Sequence, residues 1–173
     1  TLPVRIETIE IKHDVALLRL ALPKAPSFAF YAGQYIDLLL PGNISRSYSI
    51  ANSPDQEGVL ELHIRKRENG VCSEMIFGAE PKIKEKGIVR VKGPLGTFTL
   101  QKDSDKPIVL LATGTGYAPI RSILLDLIHQ NSERQVHFYW GARRQEDLYA
   151  LEEAEALIGR LKNAKFSPVL SKP

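Results

Sequence analysis

One cysteine, Cys72, among 173 residues excludes an internal disulfide and any all-cysteine iron–sulfur or zinc site within this chain. Such sparse cysteine suits a reducing compartment, and the cytoplasm is the expected location. No run of about eighteen apolar residues occurs, so no segment reads as a membrane-spanning helix. The N-terminus lacks the basic-then-apolar pattern of a secretory signal. Charge of one sign is also lacking: 23 basic and 20 acidic residues leave +3. That balance does not indicate nucleic-acid binding, yet it suits an anionic dinucleotide or an acidic protein partner. His13, His63, His129 and His137 show no metal-ligand spacing, and no metal is assigned. The densest basic cluster, Lys82, Lys84, Lys86, Arg90 and Lys92, reads as a solvated strand-and-loop face rather than a docking patch.

What is present divides into two patterns. Residues 1–101 read as short strands, at Val4–Ile11, Val15–Leu22, Tyr35–Leu40, Tyr48–Ile50, Val59–Arg65 and Ile88–Val91. Pro23, Pro26, Gly33, Pro41-Gly42, Pro54, Gly58 and Gly87 punctuate them. Many short strands with regular turns predict an antiparallel barrel or sandwich. Ser73–Phe77 reads as a helical interruption capped by Ser73. In residues 102–173, Pro107–Ala112 is a continuous apolar run typical of a parallel strand buried on both faces. Ile120, Ile123, Leu124, Leu127 and Ile128 follow helical spacing. A strand over Val136–Trp140, with Trp140 packed at its end, a helix capped by Asp147 and a strand from Phe166 complete a βαβαβ pattern, the first half of a doubly wound fold. Because a full dinucleotide-binding domain needs further strands, the second unit is expected to lack its C-terminal half.

Three segments carry chemistry. Arg46-Ser47-Tyr48-Ser49 combines a cation, an aromatic ring and hydroxyls within four residues; it suits a pyrophosphate and a ring, or equally an exposed strand with Arg46 paired to a carboxylate. Gly70-Val71-Cys72-Ser73 offers backbone N–H groups and a hydroxyl, although Cys72 alone reads as a small packed residue. Thr113-Gly114-Thr115-Gly116-Tyr117-Ala118-Pro119 follows a strand and opens a helix, the setting of a phosphate-binding turn; a tight turn without ligand is the other reading. Arg143 and Arg144 follow Gly141 at the tip of the next strand. No carboxylate stands there for a ribose 2′-hydroxyl, while two guanidiniums suit a 2′-phosphate, so NADPH is slightly favoured over NADH.

In combination these motifs resemble the ferredoxin–NADP reductase superfamily over essentially the whole chain. The likeness is greatest to flavin reductases, oxygenase reductase components and, through Gly33-Gln-Tyr-Ile-Asp37 and Arg46–Asn52, the CDP-6-deoxy-glucoseen reductases of deoxysugar synthesis. The resemblance implies a Greek-key FAD-binding barrel and a nucleotide-binding domain that passes hydride from NADH or NADPH to FAD. Arg46 would then meet the pyrophosphate, with Ser47 beside it among the cofactor-binding residues; Tyr48 would stack on the isoalloxazine, and Ser49 would sit near the ring nitrogen that accepts hydride. The backbone of His63, Ile64 and Arg65 would border the flavin, while Gly70, Val71, Cys72 and Ser73 would hold its phosphates. Thr113, Gly114, Thr115, Gly116, Ala118 and Pro119 would bind the nicotinamide nucleotide, with Gly141 and Arg143 at its adenosine end. Electrons would leave to a ferredoxin-type iron–sulfur domain, an oxygenase or a dehydratase component. A reductase of free flavin and a non-catalytic flavin- or nucleotide-binding module are the alternatives.

Overall fold

Alternating apolar residues build the first unit. In the computed structural model, which describes residues 1–172, six strands pair antiparallel. They are β1 (Leu2–Lys12), β2 (Val15–Ala21), β3 (Tyr35–Leu40), β4 (Ile44–Ser49), β5 (Val59–Arg65) and β6 (Ile88–Leu95), in the order β4-β3-β6-β1-β2-β5. An antiparallel bridge between Ile50 and Leu62, and a 2.8 Å bond from the Ala51 N–H to the Glu61 carbonyl, join the end of β4 to β5 and close the sheet into a barrel. β5 returns beside β2 and β6 runs between β1 and β3, a Greek-key path. Every second residue points inward, so Leu18, Leu20, Ile36, Leu38, Leu60, Leu62 and Ile64 form the core. The helix α1 (Val71–Phe77) adds Cys72 and Ile76 to it.

The second unit is a parallel sheet in the order β7-β8-β9. The strand β7 (Ile108–Thr113) leads through a 3-10 turn at Gly114–Gly116 into α2 (Tyr117–His129). β8 (Val136–Ala142), α3 (Leu151–Gly159) and β9 (Ala164–Leu170) follow. α2 buries Ile120, Ile123, Leu124 and Leu127, the stripe its spacing predicts. Pro168 is tolerated because β9 lies at the sheet edge, where one row of backbone donors is not needed.

Three local expectations are corrected. Ser73 is not a helix cap: α1 starts at Val71 with Gly70 before it, and the Ser73 hydroxyl accepts the Arg67 N–H at 2.7 Å. Asp147 closes a separate 3-10 turn, where its carboxylate accepts the Arg144 N–H at 3.2 Å; buried Leu148 and Tyr149 intervene before α3 begins. β7 is buried on one face only, with Val109 and Leu111 exposed at 64% and 70%. Trp140, near the end of β8, packs there as expected and is wholly buried in the second core. The Lys82–Lys92 cluster is exposed, in keeping with a solvated face.

The same alternation sets the junction between the units. With Leu60, Leu62 and Ile64 turned into the barrel, Glu61, His63 and Arg65 of β5 face the second unit. Beside them on β2, Val15 and Leu17 join the second unit's apolar core.

Candidate functional site

β4 presents the first motif. Its register sets Arg46 opposite Leu38 and Tyr48 opposite Ile36, so both share the face that turns inward, and Tyr48 rests half-buried on the rim of the core. Ser47 and Ser49 lie on the alternate face, opposite Asp37 and Tyr35, and the Ser47 hydroxyl donates to Asp37 at 2.6 Å. Arg46 Nη1 donates to the Ser45 carbonyl at 2.8 Å, its sole hydrogen bond among the described residues.

The second motif lies across from the first. Asn69 takes left-handed backbone (φ 55°), which lets the chain reverse before Gly70 opens α1. The first-turn N–H groups at Val71, Cys72 and Ser73 have no intrahelical carbonyl to bind, and no side chain caps them. Arg46, Ser47, Tyr48, Gly70, Val71, Cys72 and Ser73 line one cleft of about 300 Å³ with His63, Arg65, Arg67 and Thr115. Ser49 does not line it, and the Ile64 side chain points into the barrel core. Arg67 escaped the sequence reading; its position three residues before Gly70 was the available signal.

The cleft's chemistry fits the pyrophosphate and ring of FAD. The guanidiniums of Arg46 and Arg67, with a set of unpaired N–H groups, supply what a diphosphate needs. At Gly70 an added Cβ would come within 3.1 Å of Ser73 Oγ and 3.2 Å of the Arg67 carbonyl, so the tight loop entering α1 favours glycine there. Burial, reinforced by the Cys72 side chain, raises the Tyr48 pKa far above the usual phenol range, and the ring is neutral. Burial likewise pushes the Cys72 thiol up, against the pull of Tyr48 and Arg46. Cys72 is therefore a packed thiol rather than a nucleophile.

A second cleft, of about 410 Å³, opens at the C-terminal end of the parallel strands. Thr113, Gly114, Gly141 and Arg143 line it, together with Arg65, Ala142, Asp147, Val169 and Ser171. Gly114 takes φ +54° at the bend, a conformation glycine adopts without strain. Gly116 is exposed in the same turn; Ala118 is buried and Pro119 half-buried in the first turn of α2, and neither lines the cleft. Thr115 faces the first cleft instead. Arg144 pairs with Glu146 at 3.7 Å and leaves Arg143 as the cleft's cation at this tip.

Arg65 lines both clefts. Its guanidinium pairs with Asp14 at 3.3 Å and donates to the Asp147 carbonyl at 3.4 Å, while Nε has no partner. Behind the clefts, His63 Nδ1 and the Tyr149 hydroxyl share a 2.6 Å hydrogen bond, and Tyr117 stacks on Trp140 at 4.3 Å. Burial, then the charges of Arg121 and Lys12, lower the His63 pKa to about 3, so this ring is neutral at pH 7. Among the described residues no group of three His, Cys, Asp or Glu side chains could hold a metal, and no helix is long and apolar enough to cross a membrane.

Comparison with known proteins agrees with this fold. The oxidoreductase FAD-binding domain family matches residues 4–100, and the oxidoreductase NAD-binding domain family matches residues 110–173. The CDP-6-deoxy-L-threo-D-glycero-4-hexulose-3-dehydrase reductase of Yersinia pestis is 44% identical over 172 residues, 99% of this chain and 50% of that protein. The NAD(P)H-flavin reductase of Vibrio harveyi is 36% identical over 86% of this chain and 63% of that protein. Among solved structures, the Amycolatopsis cytochrome P450 reductase GcoB superposes with a TM-score of 0.86 at 34% identity, over 99% of this chain and 52% of that one. The chain thus spans about half the length of its Yersinia relatives. It belongs to the oxidoreductases that join this FAD-binding domain to an NAD-binding domain, within the ferredoxin–NADP reductase superfamily.

Proposed function

We propose that this chain is the flavin- and nicotinamide-binding part of a cytoplasmic reductase that takes hydride from NADH or NADPH onto FAD and passes electrons to a protein partner. Residues 1–101 form the FAD-binding unit and residues 102–173 the nucleotide-binding unit. Arg46 and Arg67, with the backbone of Gly70, Val71, Cys72 and Ser73, hold the pyrophosphate. Tyr48 holds the ring, with the Ser47–Ser49 segment and the backbone of His63, Ile64 and Arg65 beside it. The turn from Thr113 to Pro119 receives the nicotinamide nucleotide, with Gly141 and Arg143 at its adenosine end. Bound flavin supplies hydride acceptance and the release of electrons singly or as a pair. The chain's own part is to orient the two rings and to neutralise phosphate charge, and no protein nucleophile is needed.

The observation that carries this reading is the shared wall: Arg65 borders both clefts, and neighbouring Gly114 and Thr115 face one cleft each. Two ligands seated there lie side by side. By the names of its relatives, the partner is a dehydratase component, an oxygenase or an iron–sulfur domain. Likeness to the Vibrio harveyi enzyme supports release of reduced free flavin as the second reading. The visible spectrum of the purified chain, before and after anaerobic NADPH or NADH, tests the proposal. Flavin bands that bleach with either nucleotide are expected. No flavin after reconstitution with FAD refutes it, and saturation kinetics with added free flavin favours the second reading.

A further inference from the structure

Arg121 stands one helical turn beyond Tyr117 on α2, the helix that the glycine-rich turn opens. Its Nε donates to Glu153 at 2.8 Å, and its Nη1 donates both to Glu61 at 2.7 Å and to the Ala51 carbonyl at 2.8 Å. Ala51 lies two residues after Ser49, and Glu61 lies two residues before His63. One guanidinium therefore ties the nucleotide helix to both barrel segments that carry the flavin cleft. Its neighbour repeats the connection: the Ser122 hydroxyl donates to the Asn52 carbonyl at 2.7 Å. Asn52, fully buried, accepts the Glu61 N–H at 2.9 Å and donates to the Val59 carbonyl at 2.9 Å.

We infer that Arg121 is a positioning residue that sets the alignment of the two clefts, and so the approach of the nicotinamide to the flavin. This rests on the functional reading above for its kinetic consequence alone. Sliding α2 across the barrel would break bonds from the guanidinium, leave half-buried Glu153 without its cation and leave Glu61 with Arg19 alone. Hydride transfer is unusually sensitive to such sliding, since a displacement of about 1 Å can cost on the order of 100-fold in rate. The polar groove beside the clamp, lined by Arg19, Glu61, Arg121 and Glu153, does not read as a ligand site. Its charges are already matched: Arg19 bonds Glu7 and Glu61, and Glu153 accepts both Arg121 and the Tyr117 hydroxyl.

The test uses nitroxide labels on the exposed positions Glu57→Cys and Glu155→Cys, one on each unit, with buried Cys72 left in place. Parent protein should give one narrow inter-label distance, and Arg121→Ala a broadened or shifted one. Arg121→Lys, which offers one amino group to three acceptors, should fall between them. With FAD bound, Arg121→Ala should reduce flavin about 10- to 100-fold more slowly at saturating nucleotide, with nucleotide affinity within about threefold of the parent and partial recovery in Arg121→Lys. A narrow distance in folded Arg121→Ala, or an unchanged limiting rate, overturns the inference. Should Arg121→Ala fail to fold, Arg121→Lys and Glu153→Gln decide by the same two readings. If the parent takes up no FAD, the functional proposal fails, and the distances still decide whether Arg121 fixes the units.

Discussion

The Trp140 indole N–H donates to the Gly114 carbonyl at 3.1 Å, so the last buried residue of β8's core face holds the first residue of the glycine-rich turn. This bond spans the mouth of the parallel sheet, at the bend where Gly114 takes φ +54°. Trp140→Phe retains an aromatic ring against Tyr117 but loses the donor. The loss should cost about 1–2 kcal/mol of stability, one hydrogen bond plus a small void. Nicotinamide-nucleotide affinity should fall by about tenfold, equivalent to about 1.4 kcal/mol, because the turn no longer holds its shape. Titration calorimetry with NADH and NADPH on the folded variant checks this; unchanged affinity would remove Trp140 from any role at the turn.

Arg46 is the flavin cleft's best test. Its guanidinium bonds only a neighbouring carbonyl, so its removal leaves no protein carboxylate stranded. Arg46→Ala should leave the unfolding midpoint nearly unchanged while weakening FAD retention by about 10- to 100-fold, the range expected for one charge-assisted contact to phosphate. Flavin fluorescence during dilution reports the dissociation constant. A variant that holds flavin as tightly as the parent would remove Arg46 from the phosphate site.

Much of this architecture is legible in the sequence because it rests on periodicity. Leu60, Leu62 and Ile64 alternate and mark β5, and the Ile120–Leu127 stripe marks α2. Gly114 and Arg46, both picked out by their motifs, each line one of the two clefts. What escaped depends on neighbours distant along the chain. Glu61, His63 and Arg65 look like the solvated face of a strand, and only the packing of the two units shows that they meet Arg121, Tyr149 and the Asp147 backbone. Ser73 has the chemistry of a cap, yet its hydroxyl goes to Arg67, a choice made by the loop's path. Continuous apolarity in β7 suggested burial on both faces, but that pattern cannot say which face is covered within a given length of chain.

His63 makes stability depend on pH. Its pKa falls from the usual 6.5 to about 3 in the folded chain, chiefly through burial. Between those values the unfolded chain binds a proton that the folded chain excludes. Stability therefore rises as pH climbs from about 3 towards 6.5, and falls on acidification below 6.5. At pH 4 the penalty from this one ring is on the order of 3 kcal/mol. His63→Gln, neutral throughout and still able to bond the Tyr149 hydroxyl, should lose less stability between pH 7 and pH 4 than the parent does. Urea unfolding at both values measures the difference, and parallel losses in the two proteins would show that His63 is not the group responsible.

Arg143 offers the test of nucleotide choice. Of the two arginines after Gly141, Arg144 is engaged with Glu146, whereas Arg143 lines the second cleft with no ion pair among the described residues. A 2′-phosphate at the strand tip would meet that guanidinium, and a bare ribose would gain little from it. Arg143→Ala should thus weaken NADPH binding by about tenfold and NADH binding by less than about twofold. Because Arg143 is exposed, added salt should narrow the parent's preference for NADPH and leave the variant's nearly flat. Dissociation constants for both nucleotides at low and high ionic strength provide the comparison. Equal losses for NADH and NADPH would assign Arg143 to the pyrophosphate common to both, and the phosphate discrimination would then have to arise elsewhere on the cleft.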